Sequence, residues 1–401
     1  HYPIRVIFDV AKLFSANAPI KIAMVAGEAS GDMLGSMMIQ ALQRRFPNAE
    51  FVGIAGPKMQ SAGCRTLFPM ETLAVNGYAE VLRNLRPILS IRKQLKLALL
   101  QDPPDVFIGV DAPDFNFGLE KSLKSAGITT VHYVSPSIWA WRGERIKKIA
   151  QCVSHMLTLF PMEAPLYQKQ GIPVSYVGHP LADVFPLQPD RELMREQMRI
   201  AAHFKVFALL PGSRQNEVRN LAATYVETAR LLYEQFPQSL FLVPLISRQT
   251  RDLFEQEIYR CKAQDLPIRI MFGHAHDAII AADAVLVASG TATLETALLK
   301  RPMVITYKVS RITYRLMWHR KYLPYIGLPN VLAGEFIVPE ILQDDATPAN
   351  LAQALGNLVA NPKVCEKLVE RFEQMHLALR QNTAQRAADA IAPYLERALA
   401  R

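Results

Sequence analysis

The second half of the chain contains a glycine flanked by hydroxyl side chains directly after an apolar run. The run AVLVAS ends at Ser289, Gly290 follows, and a helical pattern then begins. Backbone N–H groups at the start of a helix bind phosphate well, and a glycine lets a ligand approach closely. An ordinary, well-capped strand–helix junction has the same features. The candidate nucleotide ligands are Ser289, Gly290, Thr291 and Thr293 for phosphate, and Glu295 for the ribose hydroxyls.

A second pattern of this kind, LLPGSR, ends an apolar run at 206–214. Gly212 and Ser213 offer backbone and hydroxyl donors, Arg214 can place a planar guanidinium on a diphosphate, and Glu217 can hold Arg214 in position. Arginine also commonly stands at the start of a surface helix, so the role of Arg214 stays open at this point. No GxxxxGK[ST] and no intact GxGxxG pattern occurs, which argues against ATP hydrolysis and dinucleotide redox chemistry.

The first half carries an acidic segment, VAGEASGD (25–32), after its opening apolar run. Gly27 and Gly31 allow a tight turn into a helix that we expect to begin near Asp32. Helix capping would account for Ser30 and Asp32. It would not account for Glu28, which stands at a strand end beside two glycines, so Glu28 is a candidate catalytic carboxylate.

A second acidic segment, GVDAPDFN (109–116), also follows a strand directly. A general base must project into the site from a rigid edge to take a proton from a hydroxyl group. Asp111 occupies such a position, and Pro113 then forces an extended turn. We prefer a catalytic role for Asp111 over a structural one, with Glu28 as the rival base or as the residue that orients an acceptor.

Aromatic and basic residues are concentrated in HYVSPSIWAWR (132–142). The Trp139 ring could stack on a sugar and Arg142 could bind a phosphate, but aromatic residues near a surface are as often plain packing. His132 has no partner at metal-ligand spacing, and the four cysteines are widely separated. We therefore predict no metal site and no cofactor.

Apolar runs and helical patterns alternate along the chain, and this alternation pauses near 181–200 and then restarts. Such alternation predicts two doubly wound α/β domains, which we expect to face a cleft with ligands at the carboxyl ends of the strands. The predicted segments are an N-terminal extension (1–19), a first domain (20–185), a second domain (200–345) and C-terminal helices (346–401) that could pack back on the first domain. The strand-like runs are 20–27, 51–56, 105–114, 129–137, 155–160 and 174–180, then 206–214, 240–246, 268–273, 284–289 and 302–308.

The chain carries a formal charge of +9, which suits nucleic acid, an anionic membrane surface or phosphorylated substrates. No uninterrupted apolar stretch approaches the ~20 residues needed to cross a bilayer. The basic amphipathic stretches 81–100 and 310–327 favour contact with lipid, although a partly buried helix with long cationic side chains would look similar. No RNA-binding motif occurs, so no nucleic-acid partner is expected.

Eight motifs, taken together and in order, resemble the lipid-A-disaccharide synthase family. They extend from about Ile20 to the C-terminal helices, and although each is weak alone, the ordered set is specific. The motifs are GEASGD (27–32), GIAGPKM (53–59), GVDAPDFN (109–116), HYVSPSIWAWR (132–142), GHPLAD (178–183), LLPGSR (209–214), ASGTATLE (288–295) and LPNVLAG (328–334).

The resemblance implies a GT-B glycosyltransferase with two Rossmann-like domains and no obligatory metal. It implies an inverting transfer from UDP-2,3-diacylglucosamine to 2,3-diacylglucosamine 1-phosphate (lipid X), which gives UDP and the β-1,6-linked disaccharide 1-phosphate of lipid A biosynthesis. In the family, residues matching Asp111 and Glu28 are the important acids, and residues matching Arg214, Glu295 and Asn330 line the nucleotide side. The family is peripheral to the cytoplasmic face of the inner membrane of Gram-negative bacteria. The expected acceptor side comprises Gly27, Ser30, Gly31, Asp32, Trp139 and Arg142.

Two other interpretations remain open from the sequence. Another GT-B enzyme acting on UDP-sugars, such as a UDP-GlcNAc epimerase or a different hexosaminyltransferase, would not depend on acyl chains. A lipid- or nucleotide-binding module without turnover would keep its function when Asp111 is replaced. Acyl-chain length, a homo-oligomeric state and the choice between Asp111 and Glu28 as base stay undecided.

Overall fold

The computed structural model describes residues 12–74, 78–139, 145–318 and 323–401. The described chain forms two α/β units. The first comprises residues up to Asp183 together with Leu379–Arg401, and the second comprises Val184–Ala378. Each unit is built on one parallel sheet, so the predicted α/β class is confirmed.

The sheet of the first unit has seven strands among its described residues. They are β1 (Lys21–Ala26), β2 (Glu50–Ala55), β3 (Cys64–Pro69), β4 (Val106–Val110), β5 (Thr129–Tyr133), β6 (His155–Thr158) and β7 (Val174–Tyr176). Their spatial order is β3-β2-β1-β4-β5-β6-β7, and every pairing is parallel. The winding direction reverses between β1 and β4. Doubly wound folds bind ligands at the carboxyl ends of the strands at such a reversal.

The helices of the first unit cover this sheet and include a helix from the end of the chain. They are α1 (Ala29–Arg45), α2 (Pro57–Ser61), α3 (Tyr78–Gln101), α4 (Pro113–Ser125), α5 (Arg145–Ala150), α6 (Ala164–Lys169), α7 (Pro180–Val184, at the unit boundary) and α17 (Thr383–Leu399). Helix α17 packs against α1 and places Ile391 and Leu395 in the core. Arg45 in α1 pairs with Asp389 at 3.1 Å and with Glu396 at 2.9 Å, which fixes the register of the two helices.

The sheet of the second unit has six strands over its described residues. They are β8 (Lys205–Leu210), β9 (Ser239–Leu245), β10 (Ile268–Phe272), β11 (Ala284–Ala288), β12 (Met303–Tyr307) and β13 (Glu340–Leu342). The order is β10-β9-β8-β11-β12-β13, again all parallel, and the winding direction reverses between β8 and β11. The helices are α8 (Arg191–Gln197), α9 (Gln215–Gln235), α10 (Arg248–Arg260), α11 (Ala275–Ala281), α12 (Thr291–Leu298), α13 (Arg311–Trp318), α14 (Leu328–Ala333), α15 (Pro348–Ala360) and α16 (Pro362–Leu379).

Several boundaries differ from those that the sequence predicts. Strands β3 and β13 are not predicted, because β3 carries a charged residue among short apolar ones and β13 has only three residues. Helix α1 begins at Ala29 rather than near Asp32, with Glu28 as its extended N-cap residue.

The two ends of the chain also differ from the predicted segments. At the N-terminal end, Leu13 and Phe14 are buried in the first core, and their backbone N–H groups donate to Asp102 Oδ2 at 2.8 and 3.0 Å. At the C-terminal end, α15 and most of α16 belong to the second unit, and α17 belongs to the first. The described part of the predicted extension, residues 12–19, therefore packs on the first unit, and of the predicted C-terminal helices (346–401) α17 packs back on that unit.

Candidate active site

The ends of β1 and β4 bring the two acidic segments of the first unit together. These strands are adjacent, with Ala26 paired to Val110, so Gly27 and Asp111 each follow directly at the same edge. A Cβ atom added at Gly27 would lie 3.1 Å from Ala112 Cβ. Glycine at position 27 therefore lets the start of α1 pack against the turn that carries Asp111.

Asp111 lies in a strained turn. Asp111 and Ala112 both have positive φ angles, 52° and 44°, and each such residue costs roughly 1–2 kcal/mol when it is not glycine. Two hydrogen bonds hold the turn, because the Asp111 N–H donates to Tyr133 O at 2.8 Å and Asn116 Nδ2 donates to Asp111 O at 2.9 Å. Backbone strain of this kind is typical of functional sites.

The electrostatic surroundings of Asp111 favour a proton acceptor of increased basicity. Burial raises the pKa of the Asp111 carboxyl, a protonated His132 lowers it, and the nearby carboxylate of Glu28 raises it. Glu28 is exposed at the N-terminal end of α1. Ser30, two residues further along, is also exposed. Because Asp111 is half-buried and its pKa is raised, it is a stronger base than an exposed aspartate would be. Glu28, by contrast, is exposed to solvent.

Asp32 has a position different from the open acceptor side that the resemblance implies. Only 3% of its surface is exposed, and its carboxylate accepts hydrogen bonds from the backbone N–H groups of Lys58 at 3.0 Å and Met59 at 2.9 Å. These amides belong to the first turn of α2, where a carboxylate is favoured. Asp32 therefore joins α1 to α2, and Gly31 beside it packs against Val110 O.

Trp139 is anchored by a buried acid. Its side chain and that of Ser135 hydrogen-bond to Glu163, which is 1% exposed and also accepts from the Phe160 N–H at 3.1 Å. Burial raises the pKa of Glu163 to about 8, and these hydrogen bonds lower it. The half-buried Trp139 is therefore held in one place, at the carboxyl-end side of the sheet. Arg142 lies outside the described residues.

The second unit brings its two phosphate-binding patterns to one edge. Strands β8 and β11 are adjacent at the reversal of winding, with Leu210 paired to Val287. The segments 211–214 and 289–291 therefore leave the sheet side by side. One ligand at this edge could contact both segments.

Of the residues predicted to bind phosphate at the start of α12, some are accessible and one is buried. Gly290 has a φ of 143°, a Cβ there would meet no atom of the described chain within 4 Å, and Thr291 is exposed beside it. Ser289 is half-buried, and its N–H donates to Thr306 O at 2.8 Å. Thr293 is fully buried, and its hydroxyl donates to Gly290 O at 2.7 Å, so it stabilises the turn rather than facing a ligand.

The loop before α9 is shaped by a contact between Gly212 and Glu217. Gly212 has a φ of 114°, and a Cβ there would lie 2.7 Å from Glu217 Oε2. Burial raises the pKa of Glu217, whereas the charge on Arg214 and a hydrogen bond from the Arg214 backbone lower it. Ser213 and Arg214 are exposed at the start of the helix. Glu217 thus fixes the backbone that presents the guanidinium.

Asn330, which the resemblance places on the nucleotide side, is buried within its own loop. Its side chain has no exposed surface and makes four hydrogen bonds within its own loop. The amide therefore organises the backbone after α14 instead of offering atoms to a ligand. Nδ2 donates to Val338 O (3.0 Å) and Glu340 Oε2 (2.7 Å), and Oδ1 accepts from the N–H groups of Ile337 (2.8 Å) and Val338 (3.0 Å).

The sequence reasoning missed a histidine beside the candidate ribose ligand. His276 Nε2 lies 3.4 Å from Glu295 Oε2, and the Phe185 ring packs edge-on against the imidazole at 4.7 Å. The hydrogen bond to Glu295 raises the pKa of His276, while burial opposes the shift. The position of His276 just after strand β10 was the available signal.

No helix in the described part of the chain is both long and apolar enough to span a bilayer. Over the same residues, His, Cys, Asp and Glu side chains form no group of three with metal-binding geometry.

Solved structures identify the fold class. Over 95% of this chain and 97% of the other, the chain is similar to a co-structure of MnaA and UDP from S. aureus, with a TM-score of 0.61 and 12% identity. It is also similar to the glycotransferase of kitacinnamycin, with a TM-score of 0.60 and 16% identity over 94% of this chain and 99% of that one. The protein has the GT-B fold class, with two Rossmann-like α/β units and C-terminal helices.

Sequence relatives narrow the class to a family. A model described as lipid-A-disaccharide synthetase matches residues 22–392. The chain is 59% identical over 377 residues to a lipid-A-disaccharide synthase from Aromatoleum aromaticum, covering 94% of this chain and 96% of that one. A lipid-A-disaccharide synthase from Azoarcus sp. is 58% identical over 375 residues, with the same coverage. The chain therefore belongs to the lipid-A-disaccharide synthetase family.

Proposed function

We propose that this protein is a glycosyltransferase that joins UDP-2,3-diacylglucosamine to 2,3-diacylglucosamine 1-phosphate and releases UDP. The observation that carries the proposal is 59% identity to a lipid-A-disaccharide synthase over almost the full length of both chains. The two sheet edges at which the winding direction reverses support the proposal. The edge of β1 and β4 carries acidic side chains, and the edge of β8 and β11 presents backbone amides and a guanidinium.

The donor's diphosphate binds at the edge formed by β8 and β11. Backbone N–H groups at Gly290 and Thr291, together with the Arg214 guanidinium, stabilise the negative charge that develops on the departing UDP. Glu295 accepts hydrogen bonds from the ribose hydroxyls, with His276 in contact with its carboxylate. Gly212, Ser213 and Ser289 complete this edge, while Glu217, Thr293 and Asn330 shape the backbone around it.

The acceptor is activated by a carboxylate of the first unit. The 6-hydroxyl oxygen of the acceptor attacks the anomeric carbon of the donor, the bond from that carbon to the diphosphate breaks, and the electron pair leaves with UDP. Asp111 takes the hydroxyl proton, and attack from the opposite face inverts the anomeric centre. Glu28 and Ser30 orient the acceptor beside Asp111, and the anchored Trp139 contributes a face for the sugar.

The reaction is tested directly by supplying both acylated sugars and following UDP and disaccharide together. We expect equimolar UDP and disaccharide, and no turnover when UDP-GlcNAc replaces the acylated donor, because the acyl chains contribute binding energy. Turnover of UDP-GlcNAc alone, without an acylated acceptor, would favour the UDP-GlcNAc epimerase alternative. Binding of the substrates without any UDP release would favour a module that does not turn over.

Lipid contact belongs to the same proposal, and the protein is then peripheral to the cytoplasmic face of the inner membrane. Helix α3 buries Ile91, Leu95 and Leu99 in the core and still exposes a second apolar face. Helix α13 has no buried residue in its described span and carries two arginines among exposed apolar side chains. Such surfaces suit anionic lipid. The exposed apolar residues are Leu85, Leu89, Leu97 and Leu100 in α3 and Ile312, Leu316 and Trp318 in α13.

Replacing Leu85 and Leu89 by Gln should weaken binding to vesicles that contain anionic lipid. Each leucine is more than one third exposed, so its loss removes apolar area that lipid would otherwise bury, and we expect roughly a tenfold loss per side chain. Co-sedimentation measures the change. Leu193→Gln, at a similarly exposed leucine in α8, is the matched control. Equal binding by the wild type and the α3 variants would contradict lipid contact through this helix.

A further inference from the structure

A buried pair of titratable side chains, Glu120 and His132, lies in the first unit and has no part in the mechanism above. Glu120 Oε1 is 2.8 Å from His132 Nδ1, and neither residue has any exposed surface. Glu120 belongs to α4, which starts at the Asp111 turn, and His132 belongs to β5, which flanks β4. The pair therefore joins the two elements that hold the candidate base.

The middle of β4 is shaped to admit this pair. Gly109 is paired with His132 across the sheet, and a Cβ at Gly109 would overlap Glu120 Oε1. Glycine inside a strand weakens it and commonly marks a close approach by another group. Here the approaching group is a carboxylate, at a position two residues before Asp111.

The same region contains buried polar atoms that have no hydrogen-bond partner within the described chain. They are Glu120 Oε2, His132 Nε2 and Asn116 Oδ1. Asn116 Nδ2, by contrast, donates to the carbonyl of Asp111 at 2.9 Å. Buried polar groups are nearly always paired, and exceptions call for an explanation such as a catalytic role. A Cβ at Gly109 would meet Asn116 Cβ as well as Glu120 Oε1, so the pair and the amide that holds the Asp111 turn pack against the same glycine without a hydrogen bond between them.

Charge connects the pair to the base. Burial raises the pKa of Glu120 to about 7, and the charge and hydrogen bond of His132 lower it. His132 is the charged group with the largest effect on Asp111, and it lowers the pKa of that carboxyl. The other titratable or charged groups that act on the pair or its neighbours are Glu28, Lys121, Lys124 and Cys152.

We propose that Glu120 and His132 are positioning residues for Asp111. Glu120 holds the His132 ring as an imidazolium behind the Asp111 turn, and the imidazolium keeps the Asp111 carboxylate ionised and ready to accept the hydroxyl proton. The pair gives up no proton during the reaction. This inference rests on the proposed role of Asp111 as the base.

The test is the pH dependence of kcat/KM in Glu120→Gln and His132→Gln. A base works only when it is ionised, so activity falls as pH falls through the Asp111 pKa. Either substitution removes the imidazolium, the Asp111 pKa rises, and the acidic limb should move to higher pH by about one unit. The double variant should shift the limb no further than either single variant, because both remove the same charge.

The matched control is Asp105→Asn, which changes a carboxylate at the other end of β4, where it accepts from the Lys21 N–H at 2.8 Å. Its acidic limb should stay in place. A folded Glu120→Gln protein with an unmoved limb, or additive shifts in the double variant, would overturn the proposal.

A measurement on the unmodified protein covers the case in which a variant does not fold. The ¹⁵N shifts of His132 should show both ring nitrogens protonated where the enzyme is active, and a neutral ring there would overturn the proposal. This readout also separates the two claims. Full activity in Asp111→Asn would refute the assigned base, whereas the charge state of His132 reports on the pair alone.

Discussion

Asp111→Asn should lower kcat by about 10²- to 10⁴-fold and leave the fold intact, since this is the usual contribution of a positioned general base. Asparagine has the same shape but cannot take the proton from the acceptor hydroxyl. The turn should survive, because it is held through the backbone N–H and carbonyl of residue 111. Disaccharide formation with saturating substrates measures the rate, and circular dichroism checks the fold.

Asp114→Asn is the control for this change. Asp114 is an exposed carboxylate in the first turn of α4, three residues from Asp111, so its replacement should change the rate by no more than about twofold. Glu28→Gln separates the two candidate bases. If Asp111→Asn were nearly as active as Asp114→Asn, and Glu28→Gln carried the large loss, the roles of the two acids would be exchanged.

Arg214→Gln should lower kcat/KM for the UDP-sugar by roughly 10- to 100-fold, as expected for one charge-assisted contact to a diphosphate. The loss should appear in the kinetics of the donor and in the strength of inhibition by UDP. The KM for the acylated acceptor should change little. Steady-state kinetics with each substrate varied in turn distinguishes these outcomes.

Arg219→Gln is the matched control in the same helix. Arg219 is exposed, and its guanidinium donates to Asn216 Oδ1 at 2.9 Å within α9. Each variant removes one positive charge, at the residue before α9 or within its second turn, so a general loss of positive potential would affect both equally. Equal kinetics for the two would contradict a specific contact between Arg214 and the diphosphate.

The strand ends that carry Asp111, Arg214 and Ser289 could be located from the sequence, because each follows a continuous apolar run and parallel strands end at one edge. These residues follow β4, β8 and β11, the strands that lie beside the points where the winding direction of each sheet reverses. Strand β3 escaped prediction because it is short and the exposed Arg65 interrupts its apolar side chains.

Contacts that depend on tertiary packing could not be predicted in this way. Asp32 has the residue type and spacing of a helix cap, yet it binds amides of the next helix. Asn330 matches a family motif, but its burial follows from the path of residues 337–340. The contact between Glu120 and His132 links a helix to a strand, and no periodic pattern reports such a pair.

The path of the chain affects the order in which the protein is synthesised and folded. The second unit is continuous in sequence, so all of its residues have left the ribosome before α17 appears. The first unit, although most of it is made earlier, lacks Ile391 and Leu395 of its core until the whole second unit has been synthesised. The side of α1 that α17 covers stays exposed during that interval, so the half of the chain that is made first completes its core last.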